Sequence, residues 1–447
     1  MDRRDFLKTS AVAAVGLGLG LDALASESVA EQKDAKREAS DGKLIVSAPM
    51  LQNFAETSIG VAFAVSAMAN GYVTYGLKSD LSDGTTVRCG GFRVTDMNDK
   101  VMLVRLTGLK PSTKYYYRIG ADRINYEHGH KMNIVASEAG DKIYSFITAG
   151  DAVKSHFCVI NDVHAKMDTY DALYRKIDKL APACVVDNGD MISTAEDIAK
   201  QISVYLTPDV SIKDYASGRP YLLCPGNHEN RGLANRHLEK VWMFRQPEER
   251  SSRDWDLGRN FAVRVGDIAL VGLDTAEDKV DSNPIFCGLF NSEPYREAQK
   301  LWLEDALKRP EIASAPYLVA CCHIPLFDSR PDQNPGDVHP DDTDPRYKTD
   351  FAHWQRTCFQ LWGPLLEKAG CQLVITGHQH RYRYEAPCFA HSWAEIIAGG
   401  PNMTGEKSVE EYPTLVDVKV AGNCLKVQVL NMAANKKVAE YKFDPKH

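Results

Sequence analysis

Hydrophobic and polar positions change rhythm once along this chain. From residue 43 to about 147 they alternate as half-buried strands do, with turn residues between the runs. Ile59-Gly-Val-Ala-Phe-Ala-Val, Tyr72-Val-Thr-Tyr-Gly and Tyr115-Tyr-Tyr-Arg-Ile are examples. No helical period intervenes, and short strands at such spacing predict an all-β sandwich. From Ser155 onward the pattern differs. Phe157 to Ile160, Ala183 to Val186, Tyr221 to Cys224, Tyr317 to Cys322 and Leu373 to Thr376 read as strands apolar on both faces. Thr169 to Leu180, Pro294 to Leu307 and Phe351 to Lys368 carry the period of helices. That alternation predicts an α/β domain over residues 155–447. The tail from Trp393 to Phe443 returns to strands and is expected to form the second sheet of a four-layer αββα sandwich.

Composition narrows the function. The 447 residues hold 53 Lys and Arg against 60 Asp and Glu, a net charge of −7. A mildly acidic chain without a basic run argues against nucleic-acid binding. No stretch approaches the roughly 20 apolar residues of a membrane span. The eleven cysteines have no paired spacing, and five of them (Cys158, Cys184, Cys224, Cys321, Cys322) lie inside the apolar runs. They read as small core residues, not as a disulfide framework.

The first residues read as an address. Met1-Asp-Arg3-Arg4-Asp-Phe6-Leu7-Lys8 precedes an apolar run from Ala11 to Leu21 that is too short to span a bilayer. Ala23-Leu24-Ala25 and Ser28-Val29-Ala30 both suit cleavage. Residues 1–30 are therefore expected to be a signal peptide, and 31–42 a polar linker. The two arginines with Phe-Leu-Lys resemble the twin-arginine signal. That resemblance implies the twin-arginine export machinery as a partner and a bacterial periplasmic or secreted location. No stable membrane anchor is expected, since the first cysteine is Cys89.

The chemistry clusters just after the predicted strands. Asp162-Val-His164, Gly189-Asp190, Gly226-Asn227-His228-Glu229, His323-Ile-Pro and Gly377-His378-Gln-His380 each follow one. In α/β sheets the ligand crevice lies beyond the strand carboxyl ends. Any one motif occurs by chance. All five in one crevice would carry a desolvation cost without a purpose to offset it. Imidazole and carboxylate donors without thiolate suit Fe, Mn or Zn.

This ordered set resembles the signature of the calcineurin-like metallophosphoesterases, over about residues 155–400. The resemblance implies two transition-metal ions, one held by Asp162, His164, Asp190 and His380. The other would be held by Asp190, Asn227, His323 and His378, with Asp190 shared. It further implies hydrolysis of phosphate esters, phosphomonoesters preferred, by a metal-bridging hydroxide, with His228 protonating the leaving group or stabilising charge. Glu229 is expected either to orient His228 or to cap the next element. Arg231 is a candidate phosphate contact, with a surface ion pair as the alternative. The alternatives for the whole chain are a phosphodiesterase on the same site and a catalytically inactive binding module.

The amino-terminal part, with Leu106-Thr-Gly-Leu109-Lys-Pro-Ser-Thr-Lys-Tyr115 and Val73-Thr-Tyr75-Gly76, is similar to the fibronectin type III-like domain of purple acid phosphatases. The match is incomplete. Those enzymes lack the histidine of the first motif and carry a tyrosine three residues after the Gly-Asp aspartate. Here His164 is present and that position is Ser193. Between His323 and the next helix, the acidic segment from Asp328 to Asp350 is either a substrate lid presenting His339, Arg330 or Arg346, or a solvated loop. His391 is a further candidate for the pocket rim.

Overall fold

The computed structural model describes residues 42–90, 100–244, 255–327, 350–404 and 412–446. The predicted signal peptide and nearly all of the linker lie outside these, as does the segment 328–349 with His339, Arg330 and Arg346. The first eight strands are β1 (Met50–Gln52), β2 (Ile59–Ala64), β3 (Ala69–Gly76), β4 (Thr85–Arg88), β5 (Val101–Leu106), β6 (Lys114–His128), β7 (Lys131–Ala139) and β8 (Tyr144–Ile147). Between β5 and β6 the chain turns a corner, with the Tyr115 hydroxyl accepting from the Lys110 amide at 3.0 Å.

The α/β part follows with β9 (His156–Ile160), β10 (Cys184–Asp187), β11 (Tyr221–Leu223), β12 (Phe261–Val265), β13 (Ile268–Leu273), β14 (Tyr317–Cys322), β15 (Leu373–Thr376), β16 (Arg383–Glu385), β17 (Ala394–Ile397), β18 (Thr414–Ala421), β19 (Cys424–Asn431) and β20 (Lys436–Phe443). Its helices are α1 (Met167–Leu180), α2 (Ile198–Tyr205), α3 (Glu293–Lys308), the short α4 (Pro310–Ala313) and α5 (Asp350–Lys368).

Alternation within each strand builds the layers. On β9, Phe157 and Val159 enter the core between the two large sheets, while Cys158 and Ile160 face α1 and α2. On β14, Val319 and Cys321 enter that same core, while Leu318, Ala320 and Cys322 face α3 and α5. Both faces are buried, which is why the runs look uniformly apolar in sequence. The result is the expected αββα arrangement.

Two features depart from expectation. The sheets run β20-β19-β18-β9-β10-β11-β1-β2-β5, β12-β13-β14-β15-β17-β16, and β4-β3-β6-β7 with β8 on β6. The tail therefore does not form the second sheet as a block. β17 joins it, but β18 pairs antiparallel with β9 in the first sheet. The amino-terminal layer is also not self-contained, since β1 pairs in parallel with β11 through Gln52 and Tyr221. Residues 44–447 form one compact unit, and the sheet crosses the sequence boundary near residue 150.

All eleven cysteines are free. Cys321 and Cys322 are fully buried, and burial pushes both thiols up, which keeps them unreactive. Among the described residues no helix is long and apolar enough to cross a membrane.

Candidate metal centre

Each motif leaves its strand through a sharp turn. Asp162, His164, Asp190, His378 and His380 all have positive φ, between 50° and 71°. For a residue with a Cβ that conformation costs about 1–2 kcal/mol, so five together mark a site held in place by its surroundings. The flanking glycines are steric requirements. A Cβ on Gly189 would lie 2.7 Å from His323 Nδ1, and one on Gly377 would lie 2.5 Å from Asp162 Oδ2.

The turns bring the predicted residues together. Asp162, His164, Asp190 and His380 each offer one donor atom within 4.8 Å of the others, and so do Asp190, His323 and His378. Asp190 Oδ2 lies 3.0 Å from His323 Nε2 and 3.8 Å from His164 Nε2. Asp162 Oδ1 lies 3.6 Å from His380 Nε2 and 3.8 Å from His323 Nε2. His164 Nε2 and His380 Nε2 converge to 2.8 Å, and Asn227 Oδ1 is 3.1 Å from His378 Nδ1.

The electrostatics suit cations. Burial, aided by the neighbouring His380, His228 and His323 against Asp190, drives His164 down to about 3. Burial likewise takes His378 down to about 4 and lowers His380. These imidazoles are neutral and free to donate lone pairs. Burial also presses on Asp190, but His323, His228 and His164 hold its carboxyl well below the carboxylate range. His323 Nδ1 bonds the Asn188 carbonyl at 2.8 Å, while its Nε2 is buried against Asp190 and Asp162, which outweigh burial and push this imidazole up to about 10. A buried nitrogen facing two carboxylates is where a cation could take the place of a proton.

The remaining candidates fall around this cluster. His228 donates Nδ1–H to the Ser193 carbonyl at 2.5 Å, and its Nε2 lies 3.1 Å from Arg231 Nη1. Arg231 is not a surface ion pair. It is half-buried and grips Glu277 with Nε and Nη2 at 2.8 and 2.9 Å. Glu229 does not touch His228. Its buried carboxylate accepts from the amides of Asp190, Met191 and Gly226, so it ties the second and third motif loops together. Ser193 Oγ is 3.5 Å from His164 Nδ1, where the family resemblance would have a tyrosine. His391 corrects an expectation. It is 2% exposed, packs against Phe327 and Trp393, and its Nδ1 bonds the Trp393 carbonyl, so it belongs to the core and not to a rim.

Two residues were missed. Glu277 and Asp278 follow β13, another strand ending at the crevice, and Asp278 Oδ2 is 3.7 Å from His378 Nε2. The available signal was the apolar run Ile268 to Leu273 followed by Asp-Thr-Ala-Glu-Asp.

Two sheets thus bring imidazoles and carboxylates together at their strand ends, in groups that could hold metal ions. The calcineurin-like phosphoesterase model matches residues 155–382, and the chain belongs to that family. Residues 1–20 match the twin-arginine translocation signal sequence. The protein is thus an exported, metal-dependent phosphoric ester hydrolase, destined for the periplasm or beyond. It is 24% identical over 297 residues to probable purple acid phosphatase 20 of Arabidopsis thaliana, across 65% of this chain and 56% of that protein. It is 24% identical over 408 residues to the Mycobacterium tuberculosis protein Rv2577, covering 87% of this chain and 71% of the other. Among solved structures, purple acid phosphatase PPD1 from yellow lupin (Lupinus luteus) superposes with a TM-score of 0.58 at 13% identity, over 89% of this chain and 74% of that one. PhoD gives 0.57 at 12% identity, over 90% and 92%.

Proposed function

We propose that this phosphoesterase works with two divalent transition-metal ions, Fe, Mn or Zn, and prefers phosphomonoesters. The observation that carries the reading is that Asp190 is common to both groups of converging donor atoms. Asp162, His164, Asp190 and His380 would hold one ion, and Asp190, Asn227, His323 and His378 the other. When bound, the pair supplies positive charge for the phosphoryl oxygens and an activated hydroxide for in-line attack. The chain does the rest. The low carboxyl of Asp190 stays ionised, His164, His378 and His380 are held neutral and keep their lone pairs, and Glu229 fixes the loop that carries Asp190. His228 and Arg231 stand together beside this cluster, where the leaving oxygen and a phosphoryl oxygen would lie. The monoester preference draws on the named phosphatases among its relatives.

Elemental analysis, with turnover of p-nitrophenyl phosphate and its bis-ester, tests the reading. Two ions per chain and faster monoester cleavage are expected, and Asp190→Ala should lose at least one ion and nearly all turnover. A variant that keeps both ions overturns the shared-ligand assignment. Faster cleavage of the bis-ester overturns the preference.

A further inference from the structure

We infer that Glu277 is a positioning residue for phosphate, acting through Arg231 from a loop that the metal motifs do not include. The inference rests on the phosphoesterase reading of the site. Arg231 has its fork committed. Nε and Nη2 meet the two Glu277 carboxylate oxygens at 2.8 and 2.9 Å, and Nη2 also meets Asp278 Oδ1 at 3.2 Å. Only Nη1 is turned toward the centre, 3.1 Å from His228 Nε2. A two-point grip on a planar guanidinium fixes both its position and its plane.

The grip is itself anchored. The Glu277 side chain is 2% exposed. Its loop is held from beneath by α3, with Arg296 Nη2 donating to the Glu277 carbonyl at 2.7 Å and Gln299 Nε2 to the Asp274 carbonyl at 2.6 Å. Trp354 Nε1 on α5 bonds the Thr275 carbonyl at 3.3 Å. Ala276, within the loop, has a φ of 54°, a conformation retained here without a glycine. The same loop reaches the other side of the cluster, where Asp278 Oδ2 lies 3.7 Å from His378 Nε2. It therefore touches both the arginine and a candidate metal ligand and sets the span between them. A phosphoryl oxygen beside His228 would meet a donor already aimed at it.

The test is a double-mutant cycle on the metal-loaded, full-length mature protein, with Arg231→Ala, Glu277→Ala and the pair. The readouts are inorganic phosphate affinity by calorimetry, and kcat and KM for p-nitrophenyl phosphate. Glu277→Ala should weaken phosphate binding roughly 10-fold, the loss of one charge-assisted hydrogen bond, with metal content unchanged. Glu277→Gln, which keeps one acceptor, should restore part of it. On the Arg231→Ala background, Glu277→Ala should change nothing further. Independent, multiplying losses, or unchanged phosphate affinity in Glu277→Ala, would overturn the inference. If the alanine variant does not fold, Glu277→Gln carries the cycle. Because phosphate affinity is read without turnover, a protein that binds phosphate but cleaves no ester would sink the catalytic reading while the cycle still decides this one.

Discussion

Glu229→Ala is expected to be the most damaging substitution outside the donor cluster. The Glu229 side chain is fully buried. One oxygen accepts from the amides of Asp190 and Gly226, both at 2.8 Å. The other accepts from the Met191 amide at 2.9 Å and the Tyr205 hydroxyl at 3.2 Å. Truncation strands three well-directed amide donors in the interior. Each buried donor left without a partner costs about 1–3 kcal/mol, and relaxation or an entering water recovers part of that. The net loss should be roughly 3–5 kcal/mol, a large share of the 5–15 kcal/mol that holds a typical domain together. The Asp190 amide is one of the stranded donors, so ion affinity should also fall, by roughly 10–100-fold. Glu229→Gln keeps one acceptor and should lose about half as much stability. The assay is urea unfolding with the slope compared between variants, together with elemental analysis. A loss below about 1 kcal/mol at an unchanged slope, with full metal content, would refute the view that this carboxylate ties the two motif loops together.

Other expectations follow from the same geometry. His228→Ala should retain its metal and lose roughly 10²–10⁴-fold in kcat; an equal loss for p-nitrophenol and alkyl leaving groups would point to charge stabilisation in place of proton donation. Asp417 is buried, which alone would raise its carboxyl, but His156 and Lys419 pull it below its ordinary value of 3.8. A carboxyl lowered by folding stabilises the native state above its ordinary value and loses that contribution as pH falls through the folded value. Asp417→Asn should therefore cost roughly 2–3 kcal/mol at neutral pH, and its denaturation curve should converge with wild type below pH 3.8; a constant gap would show that the pair is not the cause. Iron-loaded, air-oxidised protein should show no strong band at roughly 500–600 nm, because Ser193 cannot act as a phenolate donor. Tyr170 is buried with its hydroxyl on the Met191 carbonyl. A visible spectrum checks this, and a purple band would reveal a missed tyrosine ligand.

The residues that converge at the strand ends were readable from sequence because each motif combines a strand end, a sharp turn and a metal-competent side chain, and those are local signals. What was not readable came from pairing. β18 could have bordered either sheet, since Leu415 and Val416 are apolar on both faces and give no register. The pairing of Gln52 with Tyr221 across the domain boundary has no trace in either segment alone. Glu277 and Asp278 escaped notice because acidic residues in a loop are ordinary until the fold sets them against an arginine. His391 misled for the opposite reason: a histidine near a metal motif looks functional until Phe327 and Trp393 close around it.

The sheet that runs without a break from β5 to β20 also governs how the molecule can move. Two domains joined by a linker can swing apart and close on a ligand. Here β1 lies beside β11 inside a nine-stranded sheet, with the Leu51 and Asn53 amides donating to the Ala216 and Tyr221 carbonyls at 3.1 and 2.8 Å. Bending there would break these bonds, so the pairing opposes a hinge at the junction. Adjustment to substrates of different size is left to the loops at the strand carboxyl ends. The scaffold stays stiff beneath them, which suits a centre whose work depends on holding its donor atoms at fixed separations.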